Sequence, residues 1–398
     1  MSIRDSIKDL AKQFAGDVVS YRRHIHAHPE LSFEENNTMA YVSGLLKSFG
    51  IEHETGVAGT GIVAYVRGKN PGKKILALRA DMDALPIEEK NDVPYKSTNP
   101  GVMHACGHDV HTSSLLGTAR ILNQIKDSFE GTVKFIFQPG EEKFPGGASL
   151  MIKEGVLENP KPNYIIGQHV MTMIPVGKVG FREGMYMASA DEIYITVKGK
   201  GGHAAMPDKN IDPILIASHI IVALQQVVSR VIDPRIPAVL SFGKIEGLGA
   251  TNVIPEEVKI EGTFRTLNEE WRAEAKKKIK QIALALAEGM GGTCEIDIKD
   301  GYPFLKNDPE LTARLKQAAI EYAGQENVLD IDLWMAAEDF AYYTQEIDAC
   351  FYRLGVRNEA KGITSGVHTA TFDIDESALE LGSGMMAWLT VQELAFTK

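Results

Sequence analysis

Two styles of apolar patterning divide this chain. Up to about residue 187 the candidate strands are short unbroken apolar runs, such as Ile75-Leu76-Ala77-Leu78 and Tyr164-Ile165-Ile166. Such runs fit strands covered on both faces. From about Ala188 the style changes, and Ile193, Ile195 and Val197 alternate with polar residues. Helical periodicity appears between the strands. Residues 112–125 place Leu115, Leu116, Ala119, Leu122 and Ile125 on one side. Residues 3–49 read as helices with a break at 22–30, where Pro29 pushes His28 out of helix. The alternating histidines there, His24, His26 and His28, are read as a helix end or loop rather than a metal site.

Strands are predicted at 60–67, 74–80, 132–137, 164–166 and 350–356, with further helices at 309–323 and from 376. Inside this series lies a complete unit: strand 193–197, helix 213–231, strands 238–245 and 258–265, helix 269–290 and strand 294–298. Its order, β-α-β-β-α-β, is ferredoxin-like. The expected architecture is therefore α/β. A doubly wound, largely parallel-sheet domain (1–187 and 299–398) carries an inserted ferredoxin-like α+β domain (188–298).

Composition narrows the partners. With 398 residues, 44% apolar and 24% charged, the chain can bury a sizeable core. A net charge of −11 argues against nucleic acid or an anionic membrane. Three scattered cysteines are no disulfide framework and fit a reducing cytoplasm. The N-terminus lacks an apolar signal core, and no stretch is read as long enough to span a bilayer.

The densest chemistry lies in Gly101–His111, which holds Cys106, three imidazoles (His104, His108, His111) and Asp109. Cys106 and His108 flank a glycine, so both can turn toward one cation. Thiolate with imidazole suits zinc or another late transition metal. Other candidate groups follow one β-run after another: Asp81 and Asp83 after 74–80, Glu141 and Glu142 after 132–137, and His169 after 164–166. Ligands of open α/β sheets bind outside the strands' carboxyl ends. Adjacent Glu141 and Glu142 are not expected to face the same cation from an extended strand end. One should ligate and the other serve as a base toward water. His219, in an apolar helix, reads as a core histidine, and Cys294 and Cys350 as small buried hydrophobes.

Nearly the whole chain resembles the two-metal aminoacylase and carboxypeptidase family, in the branch of hippurate hydrolase, N-acetyl-amino-acid amidohydrolase and the auxin-conjugate hydrolases. The motifs are His26-Ala-His-Pro-Glu-Leu31, Arg79-Ala-Asp-Met-Asp-Ala-Leu-Pro86, Met103-His-Ala-Cys-Gly-His-Asp109, Gln138-Pro-Gly-Glu-Glu142, Gly202-His-Ala204, Asn252-Val-Ile-Pro255, Glu338-Asp-Phe340 and Val367-His368. The resemblance implies two divalent metals (zinc, manganese, cobalt or nickel) on Cys106, His108, Glu142, His169 and His368. It assigns Glu141 as proton shuttle and Asp83 as the residue orienting a ligand imidazole. His203 would stabilise the oxyanion across a dimer interface. Asn252 and Arg265 are candidates for binding the substrate carboxylate, with a surface ion pair as the alternative for Arg265. Elsewhere in the family an aspartate bridges the metals and a histidine precedes the first catalytic aspartate. Here Cys106 and Asp81 stand in those places.

The implied reaction is metal-dependent hydrolysis of N-acyl amino acids by a cytoplasmic homodimer joined through the inserted domain. The alternatives are a dipeptidase or carboxypeptidase on the same site, and a non-catalytic metal- or peptide-binding protein. Glu141, which ligation alone does not need, speaks against the last.

Overall fold

A computed structural model describes residues 2–397. The chain forms two compact units, Met1–Gly184 with Lys306–Asp332 and Asp339–Lys398, and Met185–Leu305 with Leu333–Glu338. The expected insertion, 188–298, is thus extended at both ends and gains a distant segment. The reason is local: Met187 bridges to Trp334, and the Ala188 N–H donates to the carbonyls of Trp334 and Ala336.

The first unit is built on a mixed sheet in the order Glu52–Val57, Gly61–Arg67, Thr132–Gln138, Ile75–Asp81, Tyr164–Pro175, Ala349–Arg357, Val179–Phe181 and Val328–Asp330. Its centre is parallel: Ile75–Asp81 pairs in parallel with both Thr132–Gln138 and Tyr164–Pro175, and the latter with Ala349–Arg357. Those strands are buried on both faces, as their unbroken apolar runs require. The edge strand Glu52–Val57, mostly exposed, is not predicted from the sequence because it has no apolar face.

Helices Ile3–Ala27, His108–Gln124, Pro309–Ala323 and Ala378–Ala395 contribute to one core. The first starts at a capping box between Ser2 and Asp5 and buries Ile7, Ala11, Phe14, Val18, Tyr21 and Ile25 at helical spacing. It runs through the expected break and ends only at Ala27, since Pro29 restricts the residue before it and no more.

The second unit has an antiparallel four-stranded sheet in the order Ala238–Glu246, Glu257–Thr266, Asp191–Lys198, Thr293–Asp300. Numbered along the unit this is 2-3-1-4, with helices Pro213–Gln226 and Glu269–Gly289 in its core. Ile193, Ile195 and Val197 point inward while Glu192 and Tyr194 are exposed, as their alternation predicts.

Two expectations fail here. Pro213–Val231 is long and apolar enough to cross a bilayer by length and composition, contrary to the expectation that no stretch is. In the structure Ile216, Ala217, Ile220, Leu224 and Val227 of this segment join the unit's core. His219 is exposed, not buried, because it shares the outward stripe of Leu215 and Val222.

Candidate metal centre and active site

Helix His108–Gln124 begins where Gly107, at φ 88°, turns the chain. A Cβ there would stand 2.5 Å from Val170, so only glycine lets the helix start this close to the neighbouring strand. The start is fixed by Asp109, whose buried Oδ2 accepts from Arg22 Nε (2.7 Å) and faces His26 Nδ1 (2.8 Å). Burial opposes the Asp109 charge, but Arg22 and His26 hold its carboxyl far below the usual range.

Two of the buried imidazoles, His108 and His169, are oriented alike. His108 Nδ1 donates to the Asp83 carbonyl (2.8 Å), with Asp83 Oδ1 at 3.2 Å. His169 Nδ1 donates to the Val170 carbonyl at 2.7 Å. Each ring therefore turns its Nε2 away from its carbonyl partner and toward the site, which is how hydrogen bonds to the other ring nitrogen prepare metal-ligating histidines. His169 Nε2 lies 3.5 Å from Cys106 Sγ, and His108 Nε2 is a buried atom with no hydrogen bond. Ligand atoms of Cys106, His108 and His169 lie within 4.8 Å of one another, as do those of Cys106, Glu142 and His368. The two triplets share the cysteine. His368 is half exposed, at φ 61°, and its backbone N–H is tied to the Ala105 carbonyl at 2.7 Å. The thiol-imidazole donor set and the orphaned His108 Nε2 fit a late transition metal.

The expectation that Glu141 and Glu142 diverge does not hold. The strand ends at Gln138, and Gly140, at φ 57°, turns the chain. Both carboxylates then have an oxygen within 4.8 Å of His108 and of each other. One buried carboxylate holds the turn: Asp83 accepts from Glu141 N (3.0 Å), Glu142 N (2.9 Å), Ser32 Oγ (2.6 Å) and His108. Glu35, missed in the sequence, adds a second anchor. It accepts from Gly140 N (2.8 Å), Phe33 N (2.9 Å) and Thr60 Oγ1. The Phe33 ring so covers Gly140 that a Cβ there would lie 2.3 Å away.

His169 is not at a strand end. Tyr164–Pro175 runs on past it, with His169 paired to Arg353. Two further residues of this region, His111 and Asp81, are already engaged in hydrogen bonds. His111 Nδ1 meets Asp81 Oδ1 at 2.6 Å while its Nε2 accepts from Val170 N at 2.9 Å, so both ring nitrogens are used. Asp81 also accepts from Arg79 (2.6 Å), which in turn reaches Asp339 (2.6 Å). Asp339 further accepts from Gln138 and Ala148 N and thereby clamps the strand ends. His104 is buried with neither ring nitrogen hydrogen-bonded, and burial lowers its pKa to about 3.

In the inserted unit, Gly202–His203 pairs with Val253–Ile254, and Ala204 N donates to the Asn252 carbonyl at 3.0 Å. His203 and Asn252 are thus neighbours. His203 is exposed; its Nδ1 accepts from Ala205 N at 3.1 Å, which leaves Nε2–H free to donate. Arg265 is elsewhere. It sits at the far end of Glu257–Thr266, about 25 Å along that strand from the His203 ribbon by the ordinary rise per residue. It bonds Thr263 Oγ1 at 3.1 Å and forms no ion pair among the described residues.

Thiol and imidazole donors gathered beside two adjacent carboxylates are the equipment of a metal-dependent hydrolase. Comparison with known proteins agrees. Residues 77–390 match the family described as Peptidase family M20/M25/M40. The chain is 43% identical over 299 residues to an N-acyl-L-amino acid amidohydrolase of Geobacillus stearothermophilus, covering 75% of this chain and 80% of that one. It is 40% identical over 392 residues to the IAA-amino acid hydrolase ILR1-like 4 of Arabidopsis thaliana (97% and 88% covered). Among solved structures it is similar to the Bacillus subtilis YXEP protein, a dinuclear metal binding peptidase of the M20 family. That match has a TM-score of 0.84 and 35% identity, covering 97% and 99% of the chains. The chain belongs to peptidase family M20/M25/M40, and it is a hydrolase.

Proposed function

We propose that this protein hydrolyses the amide bond of N-acyl L-amino acids and releases a carboxylic acid and a free amino acid. The observation that carries this reading is the pair Glu141 and Glu142, both fixed by Asp83 beside the Cys106–His108–His169 and Cys106–Glu142–His368 triplets. Cys106, His108, Glu142, His169 and His368 would hold two divalent ions, with Cys106 in both sets. Zinc, manganese, cobalt and nickel are the candidates, and the thiolate and imidazoles favour zinc, cobalt and nickel among them. Such ions supply Lewis-acid activation of water and of the acyl carbonyl. Glu141 is the base: it takes the proton of the attacking water and passes it to the leaving amine. Asp83 and Glu35 hold the backbone that carries it.

His203, with a free Nε2–H, is suited to donate to the oxyanion of the tetrahedral intermediate. Asn252 and Arg265 remain the candidates for the substrate carboxylate. Their separation within one chain means that one small carboxylate meets both only if two copies contribute. A homodimer through the inserted unit meets this condition. Leu215 and Val222 are exposed on helix Pro213–Gln226, while Ala238–Glu246 is an edge strand with Val239 and Ile245 exposed.

The test is a substrate panel on protein reconstituted separately with zinc, manganese, cobalt and nickel. N-acetyl and N-benzoyl amino acids should be cleaved with at least one metal, and free dipeptides poorly. Preference for dipeptides would make the protein a dipeptidase on the same site.

A further inference from the structure

The histidines set aside in the sequence part company in the structure. Residues four apart share a helix face, and a residue midway between them faces the other way. His26 accordingly points inward, to Asp109 and to Glu89 Oε1 at 3.2 Å. His24 and His28 point the opposite way and line a cavity of about 340 Å³ with Glu30, Asn37, Tyr41 and Asn99. None of these residues belongs to the catalytic centre.

We propose that His24 and His28 form a second, peripheral binding site for a late transition-metal dication such as Cu²⁺, Ni²⁺ or Zn²⁺. The two ring centroids are 4.5 Å apart, close enough for two imidazoles to meet one ion. Both rings are held in place. His28 Nδ1 donates to the His24 carbonyl at 2.7 Å, which leaves its Nε2 lone pair for a ligand. His24 stacks on Tyr41, with centroids 3.8 Å apart and 19° between planes, and no hydrogen bond occupies its ring nitrogens. Burial, with His28 beside it, lowers the His24 pKa and keeps that ring in the neutral form a metal needs.

Glu30 faces the cavity but binds the start of helix Asn36–Ser48. Its oxygens accept from Asn37 N, Asn37 Nδ2, Thr38 N and Thr38 Oγ1 at 2.8–3.0 Å. It therefore contributes negative charge, and water in the cavity completes the coordination. A site of two imidazoles with few free oxygens favours the later divalent metals over magnesium or calcium.

The test uses Cu²⁺ on the enzyme already loaded with its catalytic metal. Electron paramagnetic resonance follows Cu²⁺, while elemental analysis and an activity assay follow the catalytic metal. Wild type should take up one additional Cu²⁺ with nitrogen hyperfine structure and keep its catalytic metal, and Mg²⁺ should not compete. His24→Gln and His28→Gln should each weaken that uptake by more than about tenfold at unchanged basal activity. Absence of a saturable extra Cu²⁺ in wild type would overturn the proposal. So would equal uptake in the variants, or Cu²⁺ entering only by displacing the catalytic metal.

Discussion

The metal centre and the His203 ribbon are built on opposite plans. Around the centre, Asp83, Glu35, Asp109 and Asp339 are buried carboxylates, each accepting several hydrogen bonds from other segments. Charge-assisted bonds of this kind contribute about 1.5–3 kcal/mol each, so the candidate ligands are held in place by the protein itself. The ribbon has none of this. His203 and Asn252 are exposed, His203 is flanked by Gly201, Gly202, Ala204 and Ala205, and backbone pairing, Asn210 and the Ala205 N–H to the His203 ring hold the ribbon. A metal site gains from fixed geometry, whereas the oxyanion-donor role proposed for His203 needs an unoccupied N–H and room to approach.

The contrast can be broken at either side. The largest effect is expected from chelation, which should abolish hydrolysis while circular dichroism stays native, because the core does not depend on the metal. Full activity in protein shown metal-free by elemental analysis would contradict the account. Next, His203→Ala should lower kcat on the order of 10²–10³-fold with metal content unchanged. If the donor comes from a second copy, a verified heterodimer of His203→Ala with Glu141→Gln should regain activity. Its failure to do so would confine His203 to its own chain.

Removing the second anchor, Glu35→Ala, should lower kcat by about 10–100-fold, with a smaller change in KM, and Glu35→Gln should restore most of it. A loss of kcat that Glu35→Gln does not recover would leave the anchor without support. The smallest effect is on pH. Burial pushes the metal-free Cys106 thiol up to about 12; burial opposes the His108 charge, but Asp81 and Asp83 keep that ring protonated well above its ordinary range. Both protons must leave when metal binds. Affinity should therefore rise with pH, by about tenfold per unit for each proton released, and fall as the solution is acidified. A pH-independent affinity between 6 and about 8 would contradict these ligands.

Much of this was legible in the chain. Buried runs gave the parallel strands, alternation gave the inserted sheet, and Cys106-Gly-His108 pointed to a metal. What stayed hidden has physical reasons. Glu35 and Ser32 act through contacts with residues far along the chain, and no local spacing signals them. The polar Gly167-Gln168-His169 read as a strand end because burial on both faces was unknown, yet the strand continues to Pro175. Glu141 and Glu142 were expected to diverge from an extended segment, and one glycine at positive φ brings both to His108. His219 followed its apolar neighbours on paper, but the helix turns it outward.

The central claim is that Glu141 moves the proton while Glu142 holds metal. It is tested most directly by kcat and metal content of Glu141→Gln, measured side by side on an N-acyl amino acid. The account predicts a drop in kcat of roughly 10²–10⁴ or more with metal content equal to wild type. Loss of metal in this variant, or a near-normal rate, would contradict it and exchange the roles of the two glutamates.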